Sequence, residues 1–131
     1  MASYRDLIAW RRAHDNLLTI IKLVQRLPRR SAAWEIERQL IGAAGSIGAN
    51  IAEGQGRQMQ GRRFADCRNF FEVAYASAAE TDNWLQVLRD SGWIESEAVA
   101  AIQSRNEEVM RMLFALIERQ TERAAALTSF V

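Results

Sequence analysis

Asn50 and Glu53 stand one helical turn apart, and Ser77 and Glu80 repeat that spacing later in the chain. At three-residue separation each pair shares one face of a helix. Brought together across a helix–helix contact, the four groups would form a polar cluster that fixes register, or a pocket for a small ligand or hard cation. Two carboxylates without histidine are a sparse ligand set, so the register cluster is the expected role, with an arginine such as Arg57 as counter-charge. His14 is the one histidine, which excludes the Glu-x-x-His pairs of di-metal helical bundles. It falls on an apolar seam and is expected to be a hydrogen-bonded structural residue. Cys67 occupies a heptad position, where a buried, inert thiol is expected. No phosphate-cradling glycine motif, nucleophile elbow or Cys/His metal spacing occurs. The chain reads as a protein that is not an enzyme and needs neither cofactor nor metal.

Arginine is the other chemistry-bearing type. Of 17 basic residues only Lys22 is lysine. Guanidinium suits bidentate phosphate or carboxylate contacts, although a GC-rich genome produces the same bias. Net charge is +1 overall, yet residues 1–68 carry +6 and residues 69–131 carry −5. Such asymmetry marks an anionic partner or the pairing of opposite faces in self-assembly. Arg57, Arg62 and Arg63 lie among Gly54, Gly56 and Gly61, whose bare backbone would let amides approach phosphate. Arg5 and Arg12 join them if the N-terminus folds to the same end. A solvated loop end with local ion pairs, each worth about 0–1 kcal/mol, is the plainer reading.

Four helices must position these groups. Period-3.6 patterning predicts helices over about 7–27, 33–54, 62–90 and 96–127. The first has a seam through Leu7, Trp10, His14, Leu17, Ile21 and Val24, and ends at Pro28. The second holds Gly42, Gly45 and Gly48 in its interior, each costing about 1 kcal/mol relative to alanine. That cost implies a close backbone approach, with the loop expected from Gly54 to Gly61. The third is the clearest heptad, from Phe64 and Cys67 through Phe71, Ala74, Ala78, Thr81, Leu85 and Leu88; Gly92 follows as a C′ candidate. The fourth runs through Val99, Ile102, Asn106, Val109, Leu113, Leu116 or Ile117, and Gln120. Neither a repeat nor strand-like alternation interrupts this, and residues 1–131 read as a single all-α domain, an antiparallel up-down four-helix bundle. No apolar run is long enough to span a bilayer, and one cysteine without a secretory leader points to the cytoplasm. Further aromatic residues, Trp34, Phe70, Trp84 and Trp93, suggest burial between copies.

The landmarks Tyr4-Arg5-Asp6-Leu7, Trp10, Ala13-His14, Ser46-Ile47, Asn50-Ile51-Ala52-Glu53-Gly54, Gly56-Arg57 and Ala74…Ser77…Glu80, followed by Leu85, resemble the four-helix-bundle proteins of the 23S rRNA intervening-sequence type. The resemblance covers about residues 4–120. It implies a left-handed up-down bundle, assembly into a homopentameric ring, and a suspected role in binding RNA, since some members are encoded inside intervening sequences of 23S rRNA genes. A distantly similar bundle protein assists retroelement reverse transcriptases as a ring with a basic surface. The chain departs from the pattern at Gly48, where proline is usual, at Ile41 and Gly42, where a basic pair is usual, and at Ala76, where glycine is usual. Loss of the basic pair counts against nucleic-acid binding if that pair meets phosphate in relatives.

Residues and resemblance together lead to a non-enzymatic oligomer that binds structured RNA through Arg57, Arg62 and Arg63, with Arg5 and Arg12 nearby. The alternative is a homo-oligomeric protein-interaction scaffold that presents aromatic anchors and has no nucleic-acid role. The expected partners are further copies of itself and, on the RNA-binding reading, RNA, with no membrane.

Overall fold

The computed structural model describes residues 3–128. A 3-10 turn, Tyr4–Asp6, precedes four helices: α1 (Ile8–Val24), α2 (Ser31–Met59), α3 (Phe64–Ser91) and α4 (Ser96–Thr128). There is no strand among the described residues. Ser3 caps the 3-10 turn with a capping box, its hydroxyl accepting from the Arg5 N–H while Asp6 accepts from the Ser3 N–H. Gly92 ends α3 at φ 74°, the left-handed C′ conformation that glycine adopts without strain.

The α3 seam lies where the heptad places it: Cys67, Phe71, Ala74, Ala78, Thr81, Leu85 and Leu88 are all buried, with Phe64 half-buried at the start. On α4 Val99, Ile102, Asn106, Val109, Leu113 and Gln120 are likewise buried, with Leu116 and Ile117 half-buried against the core. The α1 seam is different. Its buried residues are Ala9, Ala13, Asn16, Ile20, Leu23 and Val24; of the expected line only Val24 is among them, Leu7, Trp10, Leu17 and Ile21 being half-buried and His14 exposed. Small residues let α1 sit close to its neighbours, while the bulky side chains move to its flank. There Trp10 lies over Gly48, where an added Cβ would meet Trp10 Nε1 at 3.4 Å. His14 is exposed and stacks on Trp10 at 4.6 Å between ring centroids, so it is not the hydrogen-bonded seam residue expected from the pattern.

Two core clusters stack along the helices. One contains Ile20, Leu40, Leu85, Leu88 and Ile102; the other contains Ile47, Ile51, Phe71, Val109 and Leu113. Between them in each sequence come Asn16, Thr81 and Asn106, all buried. Asn106 Nδ2 donates to the Ala78 carbonyl at 2.8 Å, and Asn16 Nδ2 donates to the Ile102 carbonyl at 3.4 Å. Contacts between α1 and α4 step in opposite senses along the two helices, Arg12 to Glu108 and Asn16 to Ile102, and Arg26 just past α1 meets Glu95 just before α4.

The second helix does not stop at Gly54. It continues to Met59, which shortens the expected Gly54–Gly61 loop to residues 60–63. Neither Gly54 nor Gly56 has positive φ; Gly61 does, at 78°. Gly54 serves contact instead. A Cβ there would lie 2.8 Å from Phe71 Cε1 and 3.1 Å from the Cys67 carbonyl oxygen. The close approach of α2 and α3 is therefore made at Gly54. Of Gly42, Gly45 and Gly48, expected to provide it, an added Cβ at the first two would meet nothing within 4 Å, and at Gly48 only the Trp10 side chain.

Candidate nucleic-acid interface

The turn from α2 to α3 is built by the backbone. Gly61 N–H donates to the Gln58 carbonyl at 3.0 Å, and Arg62 N–H donates to the Arg57 carbonyl at 3.1 Å. With Gly61 left-handed, this is a Schellman motif. Its consequence is local: the Arg62 backbone is folded back onto that of Arg57. Arg63 follows as the N-cap of α3, with no side-chain cap. Three arginines of the turn are thus gathered on a fixed frame. Gln58 adds a tie to the rest of the fold by accepting from Gln120 Nε2 at 2.7 Å.

Their present partners are weak. Arg57 pairs with Glu53 at 3.0 Å and lies over the Phe70 ring at 5.3 Å. Arg63 pairs with Asp66 at 3.2 Å while its side chain remains 84% exposed. Exposed pairs of this kind contribute about 0–1 kcal/mol. Arg62 is exposed and pairs with no carboxylate among the described residues. Beside Arg57, a shallow depression of about 260 Å³ runs between Glu53, Gly56 and Gln60. Arg68 and Arg123 flank this end, Arg68 paired with Glu72 at 3.4 Å and Arg123 over the Phe64 ring at 5.6 Å.

Arg12 stands back from the turn. Trp10 meets α2 at Gly48, eleven residues before Met59, or about 16 Å along the helix at 1.5 Å per residue. The cause is length: α1 has 17 residues and α2 has 29. Arg12 lies beside α4, donating to Glu108 at 2.8 Å, and Arg5 covers the Tyr4 ring at 4.8 Å. Arg12 therefore lies outside the patch of Arg57, Arg62 and Arg63, whereas Asp6, next to Arg5, lines a groove with Arg119.

The expected cluster of Asn50, Glu53, Ser77 and Glu80 also divides. Asn50 Nδ2 donates to the carbonyl and hydroxyl of Ser46, at 2.8 and 2.9 Å, and Ser77 donates to the same hydroxyl at 2.9 Å. Ser46 is the hub that links α2 to α3, and its place in the Ser-Ile-Gly-Ala-Asn run was the signal for it. Glu53 and Glu80 face solvent, Glu53 toward Arg57 and Glu80 accepting from Trp84 Nε1 at 3.2 Å. No group of three or more His, Cys, Asp and Glu that could hold a metal occurs among the described residues. Cys67 is fully buried, and that burial, reinforced by neighbouring Asp66, raises its pKa above that of an ordinary thiol. No helix among the described residues is long and apolar enough to cross a membrane.

Comparison with known proteins places this arrangement in a family. None of the curated proteins matches the chain. A crystal structure of a protein of unknown function from the S23 ribosomal protein family of Bacteroides thetaiotaomicron is similar, with a TM-score of 0.74 and 26% identity, covering 84% of this chain and 98% of that one. The profile of the 23S rRNA-intervening sequence protein matches residues 5–115, which include Ser46, the Gly54 contact and all three arginines of the turn. The chain belongs to the 23S rRNA-intervening sequence protein family.

Proposed function

We propose that this chain is a non-enzymatic, cytoplasmic RNA-binding protein: an antiparallel up-down bundle that assembles with copies of itself and holds structured RNA at the α2–α3 turn. Arg57, Arg62 and Arg63 are the phosphate contacts, which gives selectivity for RNA shape over sequence. The observation that carries the reading is the Schellman turn, which collects three arginines whose carboxylate partners are absent or exposed. Phosphate can replace such partners at little cost. The family's association with 23S rRNA intervening sequences supports RNA as the polyanion.

The antiparallel arrangement is supported by the opposed register of α1 and α4 contacts. Self-assembly is supported by charge, +6 on residues 1–68 against −5 on residues 69–131, and by Gly42, Gly45 and Gly56, which leave room outside α2. A ring of five follows from the family resemblance, and it would repeat the turn and multiply weak contacts. The test is fluorescence anisotropy with a labelled stem-loop RNA, comparing the wild type with Arg57→Ala/Arg62→Ala/Arg63→Ala. At least ten-fold weaker binding by the triple variant is expected; equal affinity would refute the assignment.

The scaffold alternative rests on Trp34, whose surface is 60% exposed. Trp84 and Trp93 pack against the core and are unsuited as anchors.

A further inference from the structure

A cleft of about 480 Å³ opens where α1 passes into α2, remote from the arginine turn. Leu27 and Pro28 form part of its wall, and Trp34, Glu37, Arg29 and Arg30 also line it. Trp34 is the most exposed of the large apolar side chains described, at 60%. Arg38, which is outside the cleft, lies over the indole at 5.1 Å and is itself paired with Glu35 at 3.0 Å. That stacking steadies the ring and leaves the remainder of it to the cleft. Glu37 comes three residues after Trp34, on the same face of α2. Arg29 and Arg30 are exposed and pair with no carboxylate among the described residues.

Each group has a matching part in a nucleotide. A steadied, exposed indole stacks a base whatever its identity. A carboxylate beside it accepts from the exocyclic amines of guanine, cytosine and adenine, whereas the N3–H of uracil is flanked by two carbonyl oxygens that repel a carboxylate. Two unpaired guanidiniums bind the neighbouring phosphates. An apolar protein segment would also suit Trp34, but it would leave both arginines and Glu37 without partners. The geometry points to a second RNA contact here: the cleft takes one unpaired, amino-bearing base, guanine best because its N1–H and exocyclic amine sit side by side, with its flanking phosphates on Arg29 and Arg30. This contact uses none of the α2–α3 turn residues, so either site can fail alone.

The experiment uses the full chain carrying Arg57→Ala/Arg62→Ala/Arg63→Ala, so that the turn contributes nothing. Anisotropy is measured with a labelled uridine heptamer and with the same heptamer bearing one central guanosine. The guanosine heptamer is expected to bind about five-fold tighter. Trp34→Ala should weaken it about ten-fold and Trp34→Phe much less. Glu37→Gln should erase the preference between heptamers, and Arg29→Ala/Arg30→Ala should weaken both equally. All these side chains are exposed or half-buried, and circular dichroism verifies that each variant is folded. Equal affinity for the two heptamers, binding unaffected by Trp34→Ala, or no binding of either heptamer would each overturn the inference. A failed turn with a preserved guanosine preference would support the cleft on its own.

Discussion

Replacing Gly54 with alanine tests the packing that positions the arginine turn. The new Cβ would stand 2.8 Å from Phe71 Cε1, 3.1 Å from Phe71 Cδ1 and 3.1 Å from the Cys67 carbonyl oxygen. The first of these is closer than real Cβ contacts allow. Phe71 and Cys67 are both fully buried, so the ring has little room to swing, and the carbonyl belongs to the α3 backbone. Overpacking of this kind costs about 1–3 kcal/mol, and the backbone contact argues for its upper part. Alanine returns about 1 kcal/mol of helix propensity. The net expectation is a loss of about 1–2 kcal/mol, or a fall in Tm of about 3–8 °C. Urea and thermal unfolding by circular dichroism measure it. Phe71→Leu in the same chain should relieve the clash, so the double variant should lose about 1 kcal/mol less than the sum of its parts. A Gly54→Ala variant as stable as the wild type, or strictly additive losses, would refute the close approach.

Asn106→Ala should cost about 2–3 kcal/mol in urea unfolding, because it removes a fully buried amide bonded to the Ala78 carbonyl at 2.8 Å; a change under 0.5 kcal/mol would contradict its role. Cys67 should react slowly with a thiol reagent in the native protein at pH 8 and fully in denaturant, since burial removes access and raises its pKa. Native reactivity equal to that in denaturant would count against this. Arg26, through its hydrogen bond, lowers the pKa of Glu95. The folded state then binds fewer protons than the unfolded one, so this pair's contribution is full above the ordinary carboxylate value of 4.5 and is lost as pH falls through the lowered folded value. Arg26→Ala should flatten the stability profile below that pH; an unchanged profile would exclude the pair.

The helices that read most clearly from sequence are those whose buried faces combine unambiguous size with regular spacing. Phe71, Leu85 and Leu88 on α3, and Val99, Val109 and Leu113 on α4, admit one seam. On α1 two seams compete, and side-chain size favours the wrong one. Trp10 and Leu17 mark an apolar line, but the helix turns Ala9, Ala13 and Asn16 inward because close packing requires small side chains. The end of α2 misleads for a related reason. Glycine breaks a helix only where positive φ is used; Gly54 stays helical and Gly61 makes the turn. Chain length explains Arg12, since α1 has 17 residues and α2 has 29. For the polar groups, spacing identified helix faces but could not say which hydroxyl lies opposite, so Ser46 emerged as the hub only from the packed helices. Arg57, Arg62 and Arg63 were legible together because the turn that joins them is contiguous in sequence.

Salt dependence of RNA binding tests the central claim most directly. Each phosphate contact that releases a counterion contributes roughly 0.7–0.9 to the slope of log affinity against log salt. With a stem-loop RNA, the Arg57→Ala/Arg62→Ala/Arg63→Ala variant should show a slope shallower by about 2–3 for each copy of the turn in contact. An identical slope in wild type and variant would contradict phosphate binding at the α2–α3 turn.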